Sequence, residues 1–406
     1  MNTVLDEIAI VAGWTELPFR AIARKVSESG FPDLESLSVF LDAGVVPRAS
    51  REDNHNQLGE SLDKYQRVLP SDLVFNKLRT WQGGFGISDY EGIVSPAYII
   101  ARPDKSRIEP RFLGYLLKSK AYLAELKRLS KWMPPTQFDI SWESIRDLKL
   151  RIPVLDEQRK IADFLDLETR KIDELINLKN LQIKSYVHVQ DSKINEIIWE
   201  NKNANLIPLR YLVKCNKESL GSDTNSDFRF TYCDVGSVNY RTGISEELDS
   251  FTFSDAPSRA RRLAKTGDVV FSMVRPYLRA VAIVEESFSQ YVFSTAFAVL
   301  EPKTIESEYL FEILTSTRFL AETERLSSGM GYPAINQDDL LKIKIPFLDK
   351  THQTERILQL AEERRNSLLL IKAIDDSIKA LSDYKTSLVS AAVSGQFDVT
   401  AKRSIA

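Results

Sequence analysis

Cationic and aromatic side chains that could bind a nucleic acid follow two similar apolar segments of the chain. Arginine and glutamine carry donors that suit base edges in the major groove, and lysine and arginine also bind phosphates. The candidate DNA-binding residues after these segments are Lys77, Arg79, Trp81, Gln82, Arg275, Tyr277 and Arg279. Their matched placement predicts two loops that contact DNA, and the loops around Met133 and Met330 are weaker candidates.

No pattern typical of a catalytic or metal site accompanies these loops. His55, His188 and His352 lack the spacing of metal ligands. Residues 83–86 read Gly-Gly-Phe-Gly, which lacks both the dinucleotide fingerprint and the Lys-Ser/Thr of a phosphate loop. Residues 133–136 read Met-Pro-Pro-Thr, without the polar first and aromatic last residues of the amino-methyltransferase motif. We therefore expect no catalytic residue, bound cofactor or metal on this chain.

The overall charge is unusual for a protein that binds nucleic acid. The chain has 54 Lys and Arg against 57 Asp and Glu, a formal net charge of −3. Binding to DNA would therefore require local positive charge, or cations that a partner supplies. The first residues show no basic segment leading into an apolar run, and no apolar stretch is long enough for a membrane span. We expect a cytoplasmic protein in which Cys215 and Cys233 are reduced, half-buried thiols.

An internal repeat organises the whole chain. Residues 72–79 match residues 268–275 at an offset of 196, which places both candidate loops at equivalent positions. Ser95 matches Ser294, and residues 148–153 match residues 341–346 at an offset of 193. Matched blocks in one order indicate a tandem duplication rather than chance.

Each copy predicts a mixture of strands and helices. Apolar runs rich in β-branched and aromatic residues predict strands at 73–75, 93–100, 269–274 and 291–300. Helical spacing of apolar residues predicts helices over residues 111–129 and 308–326. The fold class is therefore α+β, with two similar mixed α/β domains.

Two long amphipathic helices are predicted over residues 156–200 and 351–394. Apolar residues of the first recur every 11 positions, as in the series Ile161, Ile172, Ile183 and Ile194. The second has a heptad seam that contains one lysine: Ile371, Ile374, Ile378, Leu381, Lys385, Leu388 and Ala392. We expect the helices to pack antiparallel and hold the two domains apart. The predicted boundaries are 1–155 and 201–350 for the domains, and 156–200 and 351–406 for the helical segments.

With these features the sequence resembles the specificity subunit of a type I DNA restriction-modification system. Residues 148–161, Leu-Lys-Leu-Arg-Ile-Pro-Val-Leu-Asp-Glu-Gln-Arg-Lys-Ile, are similar to the family's strand, Ile-Pro pair and Glu-Gln helix start. Residues 387–397 are similar to its closing helix, which ends in glycine. In the second copy, residues 348–357 carry Gln353 without the adjoining glutamate.

The resemblance implies that each domain recognises one half of a bipartite site in double-stranded DNA, with the helices setting the unread spacer. It also implies that two modification subunits dock on the helices and supply S-adenosylmethionine and adenine methylation, and that a restriction subunit can join them. Partners of this kind would account for the weakly acidic charge of the chain.

Two alternatives come from other functional classes. A duplicated coiled-coil scaffold that binds protein partners would fit the acidic composition, and it would lack the steep salt dependence of DNA binding. An intrinsic methyltransferase or nuclease would require the catalytic motifs that the sequence does not show. Binding of S-adenosylmethionine to the isolated chain would identify a methyltransferase.

Overall fold

The chain divides into two compact units, each of which contains a four-stranded sheet followed by two short helices. The first unit joins Met1–Lys179 to Asp376–Ala406, and the second comprises Asn180–Asp375. The computed structural model describes residues 11–51, 62–133, 137–200, 204–329, 331–397 and 399. Because one half of each long helix belongs to each unit, the compact units group the chain differently from the linear boundaries predicted above.

The first unit is built on a four-stranded antiparallel sheet in the order β2-β9-β6-β7. Its strands are β1 (Thr15–Pro18), β2 (Ala23–Val26), β3 (Leu37–Phe40), β4 (Gly44–Pro47), β5 (Gln66–Val68), β6 (Leu73–Asn76), β7 (Phe85–Ile87), β8 (Gly92–Val94), β9 (Tyr98–Pro103), β10 (Lys131–Met133), β11 (Gln137–Asp139) and β12 (Lys149–Ile152). Its α-helices are α1 (Pro110–Lys118), α2 (Lys120–Leu129), α3 (Trp142–Ile145), the first half of α4 (Leu155–Trp199) and the second half of α8 (Lys350–Val393). The core lies between the sheet and helices α1 and α2.

The second unit repeats that sheet as β14-β23-β20-β21 and adds a second sheet, β18-β15-β22-β19. Its strands are β13 (Asn205–Pro208), β14 (Val213–Cys215), β15 (Arg229–Cys233), β16 (Val238–Asn239), β17 (Gly243–Ile244), β18 (Ser250–Thr252), β19 (Ala260–Leu263), β20 (Val269–Ser272), β21 (Val281–Ile283), β22 (Val292–Ser294), β23 (Phe297–Pro302) and β24 (Lys344–Phe347). Its α-helices are α5 (Ser307–Thr315), α6 (Thr317–Leu326), α7 (Gln337–Lys342), the second half of α4 and the first half of α8.

The strand prediction was wrong in one repeated respect. Residues 93–100 and 291–300 each form two strands rather than one. The cause is a serine turn: Ser95 Oγ accepts a hydrogen bond from the Ala97 N–H, and Ser294 Oγ accepts one from the Ala296 N–H. Such side-chain turns offer the backbone a partner outside the sheet, so the strand ends there.

The predicted helices over 111–129 and 308–326 are likewise each divided in two. Ser119 and Ser316 interrupt them with an extended backbone, at ψ 153° and 143°. Ser316 Oγ then accepts a hydrogen bond from the Phe319 N–H and thereby caps the following helix. Apolar spacing on either side of each serine had concealed the break.

Helices α4 and α8 confirm the two long helices to within one residue at each end. In the first unit, Asp173 accepts hydrogen bonds from Lys385 Nζ at 2.7 Å, and Phe164 packs on Phe397 with ring centroids 5.6 Å apart. The later residue of the first segment contacts the earlier residue of the second, and the earlier residue contacts the later one. The two segments therefore run antiparallel within this unit, as predicted. The lysine in the heptad seam is therefore neutralised by an aspartate of the facing helix.

The turn after α8 requires a glycine. Gly395 has a φ of 71°, in the left-handed region. A Cβ at this position would lie 2.6 Å from Val11 Cγ2 and 3.1 Å from the Trp14 ring. The absence of a side chain therefore allows the turn after α8 to lie close to Val11 and Trp14.

A buried glutamine fixes the start of each long helix to its own unit. Gln158 is 1% exposed, and its Oε1 accepts a hydrogen bond from the Glu109 N–H at 2.8 Å. Its Nε2 donates to the carbonyl oxygens of Pro153, at 2.8 Å, and Arg107, at 3.2 Å. Buried backbone groups that would otherwise lack partners are thus satisfied by one amide.

The second unit contains the same arrangement. Gln353 Oε1 accepts from the Glu306 N–H at 2.8 Å, and Nε2 donates to Leu348 O at 2.7 Å and Thr304 O at 3.4 Å. The two glutamines are 195 positions apart along the chain. Lys149 of β12 and Lys344 of β24, which each pair with a proline of the neighbouring strand, are also 195 positions apart. The predicted offset of 193 for this block was therefore wrong by two residues.

Candidate nucleic-acid interface

The predicted residues lie in equivalent loops between two neighbouring strands of each four-stranded sheet. We name residues 77–84 between β6 and β7 loop L1, and residues 273–280 between β20 and β21 loop L2. Phe75 pairs with Phe85 at the base of L1, and Phe271 pairs with Val281 at the base of L2. The sheets thus hold both loops at the same place, as the repeat predicts.

In the first unit, L1 packs against the β10–β11 hairpin. The Trp81 ring lies 4.9 Å from that of Phe138, which also contacts Trp132 at 4.9 Å. Trp81 Nε1 donates to Leu78 O at 3.1 Å, and Lys127 Nζ lies 5.6 Å from the Trp81 ring centroid. Trp81 therefore supports the loop, while Trp132 remains 49% exposed at the surface of the same cluster.

Arg79 and Gln82 are the most accessible of the predicted residues of L1. Both are exposed, and the described part of the chain gives the Arg79 side chain no hydrogen-bonded or ionic partner. Lys77 is half-buried and donates from Nζ to Pro96 O at 3.1 Å. Burial raises the pKa of Tyr98 above its ordinary value, against the opposing effect of the Val39 backbone and of the charges on Arg79 and Arg48. The positive charges of two arginines therefore act on this tyrosine.

In the second unit, L2 contacts residues 332–334. The Arg275 N–H donates to Pro333 O at 2.7 Å, and its guanidinium carbon lies 4.1 Å from the Tyr332 ring centroid. Val274 forms a β-bridge with Ala334. Both weaker candidate loops are therefore adjacent to the stronger ones, although Met330 itself and the Met133 side chain lie outside the described residues.

L2 has an unusual backbone. Arg275 and Arg279 have φ values of 49° and 53°, and a three-residue 3-10 helix, Pro276–Leu278, separates them. Left-handed conformations are costly for residues with a Cβ, and they concentrate at functional sites. Between these two corners Tyr277 is 46% and Leu278 52% exposed. The loop therefore presents an aromatic and an aliphatic side chain to solvent.

Sequence reasoning missed the environment of Arg279. Its guanidinium forms an ion pair with Asp191 of α4, at 2.9 and 3.3 Å, and lies 5.2 Å from the Tyr240 ring centroid. Burial lowers the pKa of Arg279, but the hydrogen bonds and charge of Asp191 outweigh this effect of burial and raise the pKa overall. Arg279 is thus held within the protein, and no local sequence signal connects residues 191 and 279.

Other chemistry-bearing residues lie apart from these loops. Cys215 and Cys233 are free, and burial raises their pKa to about 11 and about 12. Within the described residues, no group of three or more His, Cys, Asp or Glu side chains is placed to hold a metal ion. None of the helices in the described ranges has the length and apolar character that a membrane span requires.

Comparison with known proteins shows which family has this repeated architecture. A family model for the type I restriction modification DNA specificity domain matches residues 33–185 and 239–368, one match in each copy of the repeat. The chain belongs to this family. The two matches cover L1 and L2, so both loops are parts of type I specificity domains.

Individual relatives agree with this assignment. The specificity subunit of the type I restriction enzyme MjaVIII from Methanocaldococcus jannaschii is 23% identical over 352 residues, which cover 78% of this chain and 76% of that protein. The HindI specificity subunit from Haemophilus influenzae is 24% identical over 159 residues, 38% of this chain and 31% of that protein. This specificity subunit is therefore similar to the first relative along most of its length.

Solved structures share the fold. A chain from a study of complex assembly and conformational transition of the type I R-M system matches with a TM-score of 0.70 at 17% identity, covering 96% of this chain and 100% of that one. The HsdS subunit from Thermoanaerobacter tengcongensis matches with a TM-score of 0.54 at 14% identity, covering 96% of this chain and 99% of that one. The predicted fold class, two mixed α/β domains with two long helices, is confirmed.

Proposed function

We propose that this chain is the DNA-recognition component of a type I restriction-modification complex and that each unit recognises one half of a bipartite target. The observation that carries the proposal is the pair of loops L1 and L2, which occupy equivalent places on matched sheets but carry different side chains. A common frame with unlike loops allows one chain to recognise two different half-sites.

Arg79 is the principal candidate for a base or phosphate contact in the first unit. It is exposed and has no protein partner among the described residues. A guanidinium without an internal partner can donate two parallel hydrogen bonds to guanine O6 and N7, or bind a phosphate. Gln82, also exposed on L1, carries an amide that suits adenine. In the second unit, Arg275 and Tyr277 are the corresponding candidates.

The proposal assigns the chemistry to partner subunits. Two modification subunits would dock on α4 and α8 and supply S-adenosylmethionine and adenine methylation, and a restriction subunit could join the assembly. This chain would contribute no catalytic residue and bind no cofactor. The helices would set the length of the unread spacer. Support comes from family membership and from the matched glutamines that fix each helix to its unit.

The experiment that tests this proposal is a map of methylated adenines. The full chain would be expressed with its modification subunits in a host that lacks other methyltransferases, and its DNA would be sequenced for modified bases. We expect one bipartite motif with a fixed spacer and a modified adenine in each half. An undivided motif, or unmodified DNA from a complex shown to assemble, would contradict the proposal. No observation on the described residues favours the alternative of a scaffold that binds protein partners.

A further inference from the structure

The two copies of the repeat differ at one corner of their recognition loops. Gly83 precedes β7 by two residues, and Arg279 precedes β21 by two residues. Both have a left-handed backbone, with φ values of 90° and 53°. Glycine adopts this conformation without steric cost, whereas arginine does not. The second copy therefore carries a large charged residue at a corner where the first has the residue that the backbone favours.

Contacts from two other segments hold this arginine in place. Asp191 of α4 accepts hydrogen bonds from both terminal nitrogens of Arg279, at 2.9 and 3.3 Å. The Tyr240 N–H donates to Arg279 O at 3.2 Å, and the Tyr240 ring lies 5.2 Å from the guanidinium carbon. The Arg279 side chain is 18% exposed and that of Asp191 25%. Charge-assisted hydrogen bonds at this level of burial are strong enough to offset the backbone cost.

The remainder of L2 depends on that corner. Tyr277 and Leu278 lie between Arg275 and Arg279, and Arg275 is fixed through its N–H to Pro333 O. The opposite end of this short segment is fixed through Arg279. Release of Arg279 from Asp191 would leave a non-glycine residue in a left-handed conformation without the ion pair that offsets its cost.

We propose that Asp191 is a positioning residue for DNA recognition by the second unit. Through its ion pair with Arg279 it fixes the corner of L2 against α4 and so determines where Tyr277 meets the DNA. The inference rests on the proposed function. It gives Arg279 a different role from the one that the sequence indicated, since the arginine acts on the loop rather than on the DNA.

A double-mutant cycle in the full complex tests this role. The variants are Asp191→Asn, Arg279→Gly and the combination, each assembled with the modification subunits. Methylation would be measured on duplexes that carry single substitutions in one half-site or the other. Glu196→Gln, which removes one exposed charge from the same helix, is the matched control. The half-site recognised by the first unit serves as an internal reference.

At the half-site that the second unit recognises, we expect Asp191→Asn to reduce discrimination against substituted bases about tenfold. This is the scale of one well-placed base contact. Discrimination at the first half-site and the behaviour of Glu196→Gln should not change. In the Arg279→Gly background, Asp191→Asn should cause little further loss, because glycine needs no ion pair to hold the corner. Arg279→Gly should also leave the salt dependence of DNA binding unchanged.

Two results would overturn the inference. The first is an equal loss from Asp191→Asn in both backgrounds, which would mean that the two residues are not coupled. The second is a salt slope reduced by about one in Arg279→Gly, which would mean that Arg279 itself neutralises a phosphate. Failure of the proposed function would look different, because the unaltered complex would then show no discrimination at either half-site.

Discussion

Replacing Gln158 by methionine should destabilise the first unit by about 3 kcal/mol. Methionine is similar in length and volume, so the cavity contribution is small. The loss comes from the hydrogen bonds of the amide to Glu109 N–H, Pro153 O and Arg107 O, at 2.8, 2.8 and 3.2 Å. A buried polar group left without a partner costs about 1–3 kcal/mol, and the longest of the three bonds contributes least. Two groups at about 1.5 kcal/mol each give the expected value.

Urea denaturation followed by hydrogen–deuterium exchange, resolved to peptides of each unit, measures this loss. The Glu109 amide should lose protection first, because Gln158 is its hydrogen-bond acceptor. Gln353→Met should produce the same change in the second unit, at Glu306. Gln82→Met on the exposed surface is the matched control, and we expect it to change stability by less than about 0.5 kcal/mol. A loss below about 1 kcal/mol in both buried variants would refute the assignment of the glutamines as the contacts that fix the helices.

Further predictions concern DNA recognition, buried carboxylates and thiols. Arg79→Ala should weaken binding at one half-site by about 1–3 kcal/mol and leave the other unchanged, and equal loss at both halves in a selection assay would contradict it. Asp72, which is 2% exposed, forms an ion pair with the guanidinium of Arg102. Burial raises the pKa of Asp268, the equivalent residue of the second unit, above the ordinary 3.8. Asp72→Asn should therefore cost the first unit about 3 kcal/mol, while Asp268→Asn should leave the second unit unchanged or more stable at pH 7 in urea denaturation. The raised pKa of Asp268 adds stability that is complete below about pH 3.8 and is lost as pH rises through the raised value, and Asp268→Asn should remove that dependence. Cys215 and Cys233 should react slowly with a thiol reagent at pH 8, since burial raises their pKa to about 11 and about 12, and rapid labelling of the folded chain would contradict this.

Features that depend on local periodicity could be predicted from the sequence. Helices α4 and α8 begin and end within one residue of the predicted limits. Apolar residues that recur every 3 to 4 positions lie on one face of a helix, so this spacing predicts a helix for as long as it continues. The duplication, the α+β class and the equivalence of L1 and L2 follow from matched blocks. The family match then identified the two copies as type I restriction modification DNA specificity domains.

Features that depend on one polar side chain, or on residues distant in the chain, were decided only by the tertiary structure. Ser95 and Ser119 interrupt runs whose apolar spacing continues across them, so a prediction based on periodicity joined the parts. The hydrogen bonds of Gln353 determine which residues at the start of α8 are equivalent to those at the start of α4. The similar residue types of the preceding segment had indicated a different alignment.

Arg279 illustrates the limit most directly. As a cation in a loop beside a DNA-binding candidate, it is a reasonable prediction for DNA contact. Its partner Asp191 lies 88 positions earlier, on a helix that the sequence assigns to another segment. Because an ion pair depends on where two side chains lie in space, and not on their spacing along the chain, only the folded unit shows which charges face solvent and which are already neutralised.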